Sequence, residues 1–157
     1  MLHKTNAARA LDDLHINYRM QEYAFDEDHL NALHVANELG VAPELIYKTL
    51  VLVSNIGENL VAVIPANQQL DLKKIATASN HKKCEMIAVK DLLKTTGYIR
   101  GGCSPLGMKK VFPVFIEEMA TLEEEIIISA GKRGLQLVLK PQDLATACKA
   151  HFADLIA

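Results

Sequence analysis

The stretch KTLVLVSNIGENLVAVIPA, residues 48–66, decides the fold. It contains two runs of β-branched and aliphatic residues, separated by a short polar segment that includes Asn55 and Gly57. Apolar runs of this length favour strands, and Asn and Gly between two such runs favour a tight turn. The sequence therefore predicts a β-hairpin here.

The segments on both sides of the hairpin alternate between helix and strand patterns. Before it, the periodicity predicts a helix over about residues 5–16, a strand in 18–25 and a helix in 31–40 that ends at Gly40. After it, the sequence predicts helices in 71–79, 90–96 and 141–155, and strands in 84–88, 112–118, 124–131 and 135–140. Asp71 has the position of an N-cap, with Leu72, Ile75 and Ala76 facing inward.

In this order of elements, hairpins outnumber helical crossovers between strands. The 157 residues are enough for one conventional core, and no internal repeat or linker interrupts them. We therefore predict an α+β fold, with one domain over residues 1–157 built on a curved, mixed, mostly antiparallel sheet that is flanked by helices.

The composition excludes disordered and membrane-spanning proteins. Half of the residues are hydrophobic and 23% are charged. The longest apolar runs are too short to cross a bilayer, and the N-terminal segment has no apolar signal core. The three cysteines form no CxxC pair, which fits a reducing compartment. We expect a cytoplasmic protein with no membrane partner.

The net charge of −2 does not indicate a nucleic-acid-binding protein, but the basic residues are clustered. The clusters are Lys73–Lys74, Lys82–Lys83, Arg100, Lys109–Lys110 and Lys132–Arg133. They have two interpretations: ordinary solvated surface, or a local face that binds phosphates.

Metal and nucleotide sites are not predicted. The six histidines are scattered, and no Cys/His quartet with the spacing of a zinc site occurs. The glycine-rich segment lacks the spacing of a P-loop, and Pro105 removes a backbone N–H from it. We expect neither a metal nor another cofactor.

The segment GYIRGGCSPLGMKK, residues 97–110, differs from the rest of the chain. Cys103 is either a nucleophile whose pKa nearby cations lower, or a small residue that fills a tight loop. The adjacent Gly101 and Gly102, with Pro105 after them, make either a sharp corner or a pocket wall whose backbone grips a small polar ligand.

Lys48, at the head of the first strand of the hairpin, also has two interpretations. A lysine here is commonly a strand-end residue that extends its ammonium into solvent. If the side chain instead points into a cleft, the ammonium could orient an ester or a phosphate.

Four segments occur together in an order and spacing that resemble the YbaK/EbsC family, and within it the YbaK branch that deacylates Cys-tRNA(Pro). They are YKTLV (47–51), QQLDLKKIA (68–76), TGYIRGGCSPLGMKK (96–110) and SAGKRGLQLVL (129–139). The family is related to the editing domain inserted in bacterial prolyl-tRNA synthetases. The resemblance extends from about Tyr18 to the C-terminus.

The resemblance implies a function and a set of site residues. The implied reaction is trans-editing, in which the ester between a wrong amino acid and tRNA(Pro) is hydrolysed after the synthetase has released it. The implied catalytic residues are Lys48 and Gly101. The implied substrate-binding residues are Tyr23, Thr49, Gly102, Ser104, Pro105, Gly131, Lys132 and Arg133.

The resemblance also implies a mechanism without a protein nucleophile. In the YbaK branch the thiol of the bound cysteine attacks its own carbonyl and leaves a cyclic thiolactone. Amides near Gly101 and Gly102 would then hold the aminoacyl carbonyl or the terminal ribose, and Lys48 would orient the ester or the terminal phosphate. The implied partners are the acceptor end of tRNA(Pro) and prolyl-tRNA synthetase.

Two positions depart from the YbaK branch and leave the amino-acid specificity open. An aromatic residue of that branch has no counterpart around Leu30 to Leu33, and Gln136 replaces an aspartate. The alternatives are a deacylase for another amino acid, such as alanine, and a noncatalytic module that binds aminoacyl-tRNA or the synthetase.

Overall fold

The computed structural model describes residues 4–25 and 32–157, with residues 32 and 33 described by their backbone only. Five helices are present in these residues: α1 (Asn6–Asp13), α2 (Ala32–Leu39), α3 (Leu72–Ala78), α4 (Val89–Thr96) and α5 (Pro141–Cys148). The strands are β1 (Arg19–Glu22), β2 (Tyr47–Ser54), β3 (Asn59–Pro65), β4 (Cys84–Met86), β5 (Val114–Glu117), β6 (Ile126–Lys132), β7 (Leu135–Leu139) and β8 (His151–Ala153).

The predicted hairpin is confirmed, since β2 and β3 pair antiparallel with Lys48 opposite Ile64. They lie within a five-stranded sheet of order β4-β2-β3-β5-β8, in which β5 pairs parallel with both of its neighbours. A second sheet, of order β1-β7-β6, is antiparallel. A parallel bridge between Ile46 and Ile127 connects the two sheets. The predicted α+β class and mostly antiparallel pairing are confirmed, and the strands divide between two sheets.

The main core lies between the two sheets. Its largest cluster of buried side chains includes Val61 and Val63 of β3 together with Ile128 of β6 and Leu137 of β7. The other face of β3 is also covered, because Leu60, Ala62 and Ile64 pack in a second cluster with Ile75 of α3. A strand buried on both faces has a continuous apolar sequence, which explains the run LVAVI in residues 60–64.

Several predicted boundaries are wrong. The first helix ends at Asp13 rather than near residue 16, since His15 adopts a positive φ of 57° and Leu14 is exposed. The inward position predicted for Leu72 is also wrong, because this side chain is exposed at the first turn of α3. The last helix ends at Cys148 rather than 155, because Lys149 adopts a φ of 53° and the following residues pair with β5 as β8.

The predicted N-cap of α3 is confirmed and allows a stability prediction. The Asp71 carboxylate accepts hydrogen bonds from the N–H groups of Lys73 (2.9 Å) and Lys74 (3.1 Å). Replacement of Asp71 by alanine removes both acceptors and should lower the free energy of unfolding by about 1 kcal/mol in urea denaturation. Asp71→Asn keeps a capping oxygen and should lose less; equal losses in the two variants would contradict the capping role.

Candidate active site

A cavity of about 400 Å³ opens between the two sheets, next to the bridge that connects them. Apolar side chains from β2, α2 and the start of α4 form much of its wall, including Val35, Leu50, Val89 and Leu92. Its polar and loop residues include Lys48, Thr49, Arg100, Gly101, Ser129 and Gln136. The cavity therefore combines an apolar wall with a few polar groups, as sites for small ligands commonly do.

Lys48 lines the cavity. Its position agrees with the interpretation in which the side chain points into a cleft. Its side chain is half-buried, and this burial lowers the pKa of the ammonium from its usual value. Within the described residues the ammonium makes no hydrogen bond or ion pair. Among the described residues it is therefore not a member of a structural salt bridge, and it could contact oxygen atoms of a ligand.

The charge of the cavity is positive. Arg100 also lines it, and none of its described lining residues is an aspartate or a glutamate. Two cations with no acidic residue in the described lining favour a ligand that carries a phosphate or an oxygen that becomes negative during a reaction. The sequence identifies Arg100 only as one of several basic clusters, because its position at the cavity depends on the path of the loop.

Gly101 is the loop glycine that reaches the cavity. It adopts a φ of 87°, in the left-handed region that a residue with a side chain rarely occupies. In the described part of the chain its N–H makes no hydrogen bond. Gly101 thus has a backbone N–H without a partner among the described residues, and it lines the same cavity as Lys48.

The other predicted loop residues lie inside the loop rather than on the cavity wall. The N–H of Gly102 donates to the carbonyl of Ile99 (3.0 Å), so its amide is already used. The Ser104 hydroxyl accepts from the N–H of Leu106 (3.3 Å), and the Pro105 carbonyl accepts from the thiol of Cys148 (3.6 Å). These contacts stabilise the loop, and of its two adjacent glycines only Gly101 has an N–H without a partner in the described residues.

The turn that contains Gly131, Lys132 and Arg133 supports this loop from behind. Arg133 donates from Nε to the carbonyl of Arg100 (2.9 Å). A β-carbon on Gly102 would lie 3.2 Å from the backbone nitrogen of Arg133, so the absence of a side chain lets the turn approach. None of the three turn residues is in the described lining of the cavity, and the turn contacts the loop at the carbonyl of Arg100 and at Gly102.

Tyr23 does not line the cavity but packs against residues that do. Its N–H donates to the carbonyl of Gly134 (3.0 Å), and its half-buried ring packs on a cluster that includes Val35 and Ile46. Val35 and Ile46 line the cavity, whereas Tyr23 does not. The structure thus brings Lys48, Thr49 and Gly101 together directly, and Tyr23 through its neighbours.

Cys103 lines the cavity, but its thiol is not activated. Burial raises its pKa to about 12, far above the value that a nucleophilic thiolate needs at neutral pH. No histidine is among the cavity's described lining residues. The geometry favours the interpretation of Cys103 as a small residue that fills the loop.

Gln136, one of the two departures from the YbaK branch, is buried and lines the cavity. It lies on β7 opposite Ser129 of β6 and Gln21 of β1, so the three side chains form a neutral polar row across the sheet. Within the described residues the side chain of Gln136 makes no hydrogen bond. The other departure cannot be placed, because Leu30 and the side chain of Leu33 lie outside the described residues.

Within residues 4–25 and 32–157, no group of three His, Cys, Asp or Glu side chains is arranged to hold a metal ion. None of the helices described combines the length and the apolar composition that a membrane crossing requires.

Several known proteins resemble this chain in sequence or in fold. Residues 27–147 match the model of a family described as the aminoacyl-tRNA editing domain. An Enterococcus faecalis protein named "Putative Cys-tRNA(Pro)/Cys-tRNA(Cys) deacylase EbsC" is 51% identical over 152 residues, which cover 97% of this chain and 93% of that protein.

Two solved structures show the same fold at low sequence identity. The "hypothetical protein APE2540" superimposes with a TM-score of 0.89 at 19% identity, over 98% of this chain and 100% of its own. A "putative trans-editing enzyme for prolyl tRNA synthetase" superimposes with a TM-score of 0.82 at 21% identity, over 99% of each chain. The family resemblance predicted from the four sequence segments is confirmed, and the chain belongs to the aminoacyl-tRNA editing domain family.

Proposed function

We propose that this protein is a trans-editing deacylase that removes mischarged cysteine from tRNA(Pro) in the cytoplasm, and that one editing domain over residues 1–157 performs the reaction. The substrate is the acceptor end of the tRNA with its aminoacyl ester. Prolyl-tRNA synthetase, which makes the mischarged product, is the proposed protein partner. The name of the 51% identical relative EbsC supports the cysteine ester as substrate.

The observation that carries this proposal is the pairing of Lys48 and Gly101 in one cavity. An ammonium and a backbone N–H that have no partner among the described residues can both contact oxygen atoms of an ester or of the adjoining phosphate. No described lining residue supplies an activated nucleophile, since the pKa of Cys103 is raised to about 12. Such a site positions a reactive ester rather than attacking it.

The chemistry of the cysteine ester fits a site of this kind. The substrate thiol loses its proton, its sulfur attacks the ester carbonyl carbon, and a tetrahedral oxyanion forms. Collapse of this intermediate breaks the bond from carbon to the ribose oxygen, which leaves with a proton as the free tRNA hydroxyl. The remaining β-thiolactone is hydrolysed by water. Lys48 and the Gly101 N–H would stabilise the oxyanion.

Replacement of Cys103 by alanine separates this mechanism from one that uses a protein thiol. Because the buried Cys103 thiol stays protonated at neutral pH, we expect Cys103→Ala to keep at least about half of the wild-type kcat/KM in a deacylation assay with Cys-tRNA(Pro). Cys84→Ala, a buried cysteine outside the cavity, controls for the loss of packing. A complete loss of activity in Cys103→Ala alone would show that the protein provides the nucleophile.

A panel of aminoacyl esters tests the substrate. We expect the wild-type protein to cleave Cys-tRNA(Pro) and to leave 2-aminobutyryl-tRNA(Pro), in which a methyl group replaces the thiol, at its spontaneous rate. Ala-tRNA(Pro) should also remain. Cleavage of all three esters at equal rates would exclude the thiol step, and cleavage of Ala-tRNA(Pro) alone would assign the protein to alanine.

A further inference from the structure

The hydrogen bonds of β2 identify which of its residues face β3. The N–H of Ala66 donates to the carbonyl of Ile46 (2.7 Å). At the other end, the N–H of Ser54 donates to the carbonyl of Glu58 (2.8 Å). Hydrogen-bonded and non-bonded pairs alternate along antiparallel strands. The even-numbered residues of β2 therefore bond to β3, and odd-numbered residues such as Thr49 direct their N–H and C=O groups to the opposite edge.

Different strands occupy the two ends of that opposite edge. At the start of β2, the parallel bridge from Ile46 attaches β6. At the end of β2, the N–H of Ile87 donates to the carbonyl of Val51 (3.0 Å), and β4 pairs with the residues that follow. If the pairing of β2 with β4 continued, residue 89 would lie opposite Thr49. Residue 89 is instead the first residue of α4.

Thr49 lies in the gap between these two neighbours. No strand in residues 4–25 and 32–157 pairs with it on this edge, and β6 shifts its register after Ser129. The cavity opens at this gap, with Thr49 in its lining. Thr49 is therefore a residue of a central strand that lines the cavity and that no described strand pairs on this edge.

The side chain of Thr49 gives an independent sign of a missing partner. Its Oγ1 is buried and makes no hydrogen bond within the described residues. A buried hydroxyl without a partner costs free energy, which a ligand that supplies the hydrogen bond would recover. Thr49 has two acceptor oxygens, its carbonyl oxygen and Oγ1, and the described lining of the cavity contains no carboxylate.

We propose that Thr49 holds the α-amino group of the bound aminoacyl ester, which donates hydrogen bonds to the Thr49 carbonyl oxygen and to Oγ1. This inference rests on the proposed function, because it takes an aminoacyl ester as the ligand. All aminoacyl esters except prolyl carry the same primary amine. Thr49 therefore anchors the shared part of the substrate, and the choice among side chains falls to other lining residues such as Gln136.

A double-mutant cycle between protein and substrate tests the contact. The two substrates are Cys-tRNA(Pro) and 3-mercaptopropionyl-tRNA(Pro), which keeps the thiol and the ester but lacks the amine. Thr49→Val, which replaces the hydroxyl with a methyl group, should lower kcat/KM about tenfold for the first substrate and less than about twofold for the second. Thr49→Ser keeps the hydroxyl and should restore most of the activity on Cys-tRNA(Pro).

The melting temperature separates a substrate contact from a structural role. Because Oγ1 has no partner in the described structure, Thr49→Val should melt no lower than the wild-type protein. Equal losses on the two substrates, or a melting temperature lowered by several degrees, would overturn the inference. Failure of the wild-type protein to cleave any aminoacyl-tRNA would instead overturn the proposed function.

Discussion

Replacement of Lys48 by alanine is expected to lower kcat/KM for Cys-tRNA(Pro) at least about 100-fold, the loss typical when one group that stabilises an oxyanion is removed. The lysine lines the cavity, and within the described residues no other group pairs with it. Its charge is therefore available to the substrate. Single-turnover deacylation of Cys-tRNA(Pro), measured with an excess of protein, reports this loss without a contribution from tRNA release.

The control is Lys140→Ala, which removes an exposed lysine outside the cavity. This variant should retain wild-type activity. Thermal melts of both variants should match the wild-type protein, because Lys48 forms no ion pair with the described residues and its burial disfavours the charged form. A Lys48→Ala protein that is folded and fully active would remove Lys48 from the mechanism.

Replacement of Gly101 by alanine should also cause a large loss of activity. A residue with a β-carbon at a φ of 87° is strained by about 1 kcal/mol, so the loop should shift and carry the N–H of residue 101 away from the substrate. A misplacement of about 1 Å can cost about 100-fold in rate. We therefore expect kcat/KM to fall by between about 10-fold and 100-fold.

Gly57→Ala is the matched control for this variant. Gly57 lies in the hairpin turn between β2 and β3 with a φ of 81°, and a β-carbon there would meet no atom within 4 Å. Both variants should lose a similar free energy of unfolding, but Gly57→Ala should keep its activity. If both variants lose activity in proportion to their stability, the role of Gly101 is structural.

Much of the fold could be predicted because its signals are local. The hairpin of residues 48–66 follows from two apolar runs with Asn and Gly between them, and the N-cap at Asp71 follows from a carboxylate before an amphipathic segment. The end of α4 at Gly97, with its φ of 87°, is of the same kind. In each case a few neighbouring residues contain all the information.

The elements that were predicted wrongly depend on distant parts of the chain. Residues 151–153 form β8 because β5 offers them an edge, although their sequence continues a helical pattern. Leu72 is exposed because α3 packs through Ile75 and Ala76 instead. A periodic pattern shows that a segment has an apolar face, but not which partner covers it or where pairing stops.

Part of the candidate site could also be predicted from the sequence. Lys48 and Gly101 were assigned from the family resemblance, and the structure brings them to one cavity. The sequence could not predict which loop amides are already hydrogen-bonded, because this depends on the folded loop. The N–H of Gly102 donates to Ile99, and the contact of Arg133 with Arg100 spans 33 residues. The gap at Thr49 depends on where two separate strands leave β2.

The central claim is that this protein hydrolyses the ester of Cys-tRNA(Pro), and a single time course tests it most directly. Purified protein in excess is mixed with labelled Cys-tRNA(Pro) at neutral pH, and the remaining ester is followed beside a sample without protein. We predict that the ester disappears at least about 100-fold faster with the protein than without it. Ester loss at the same rate in both samples would contradict the account.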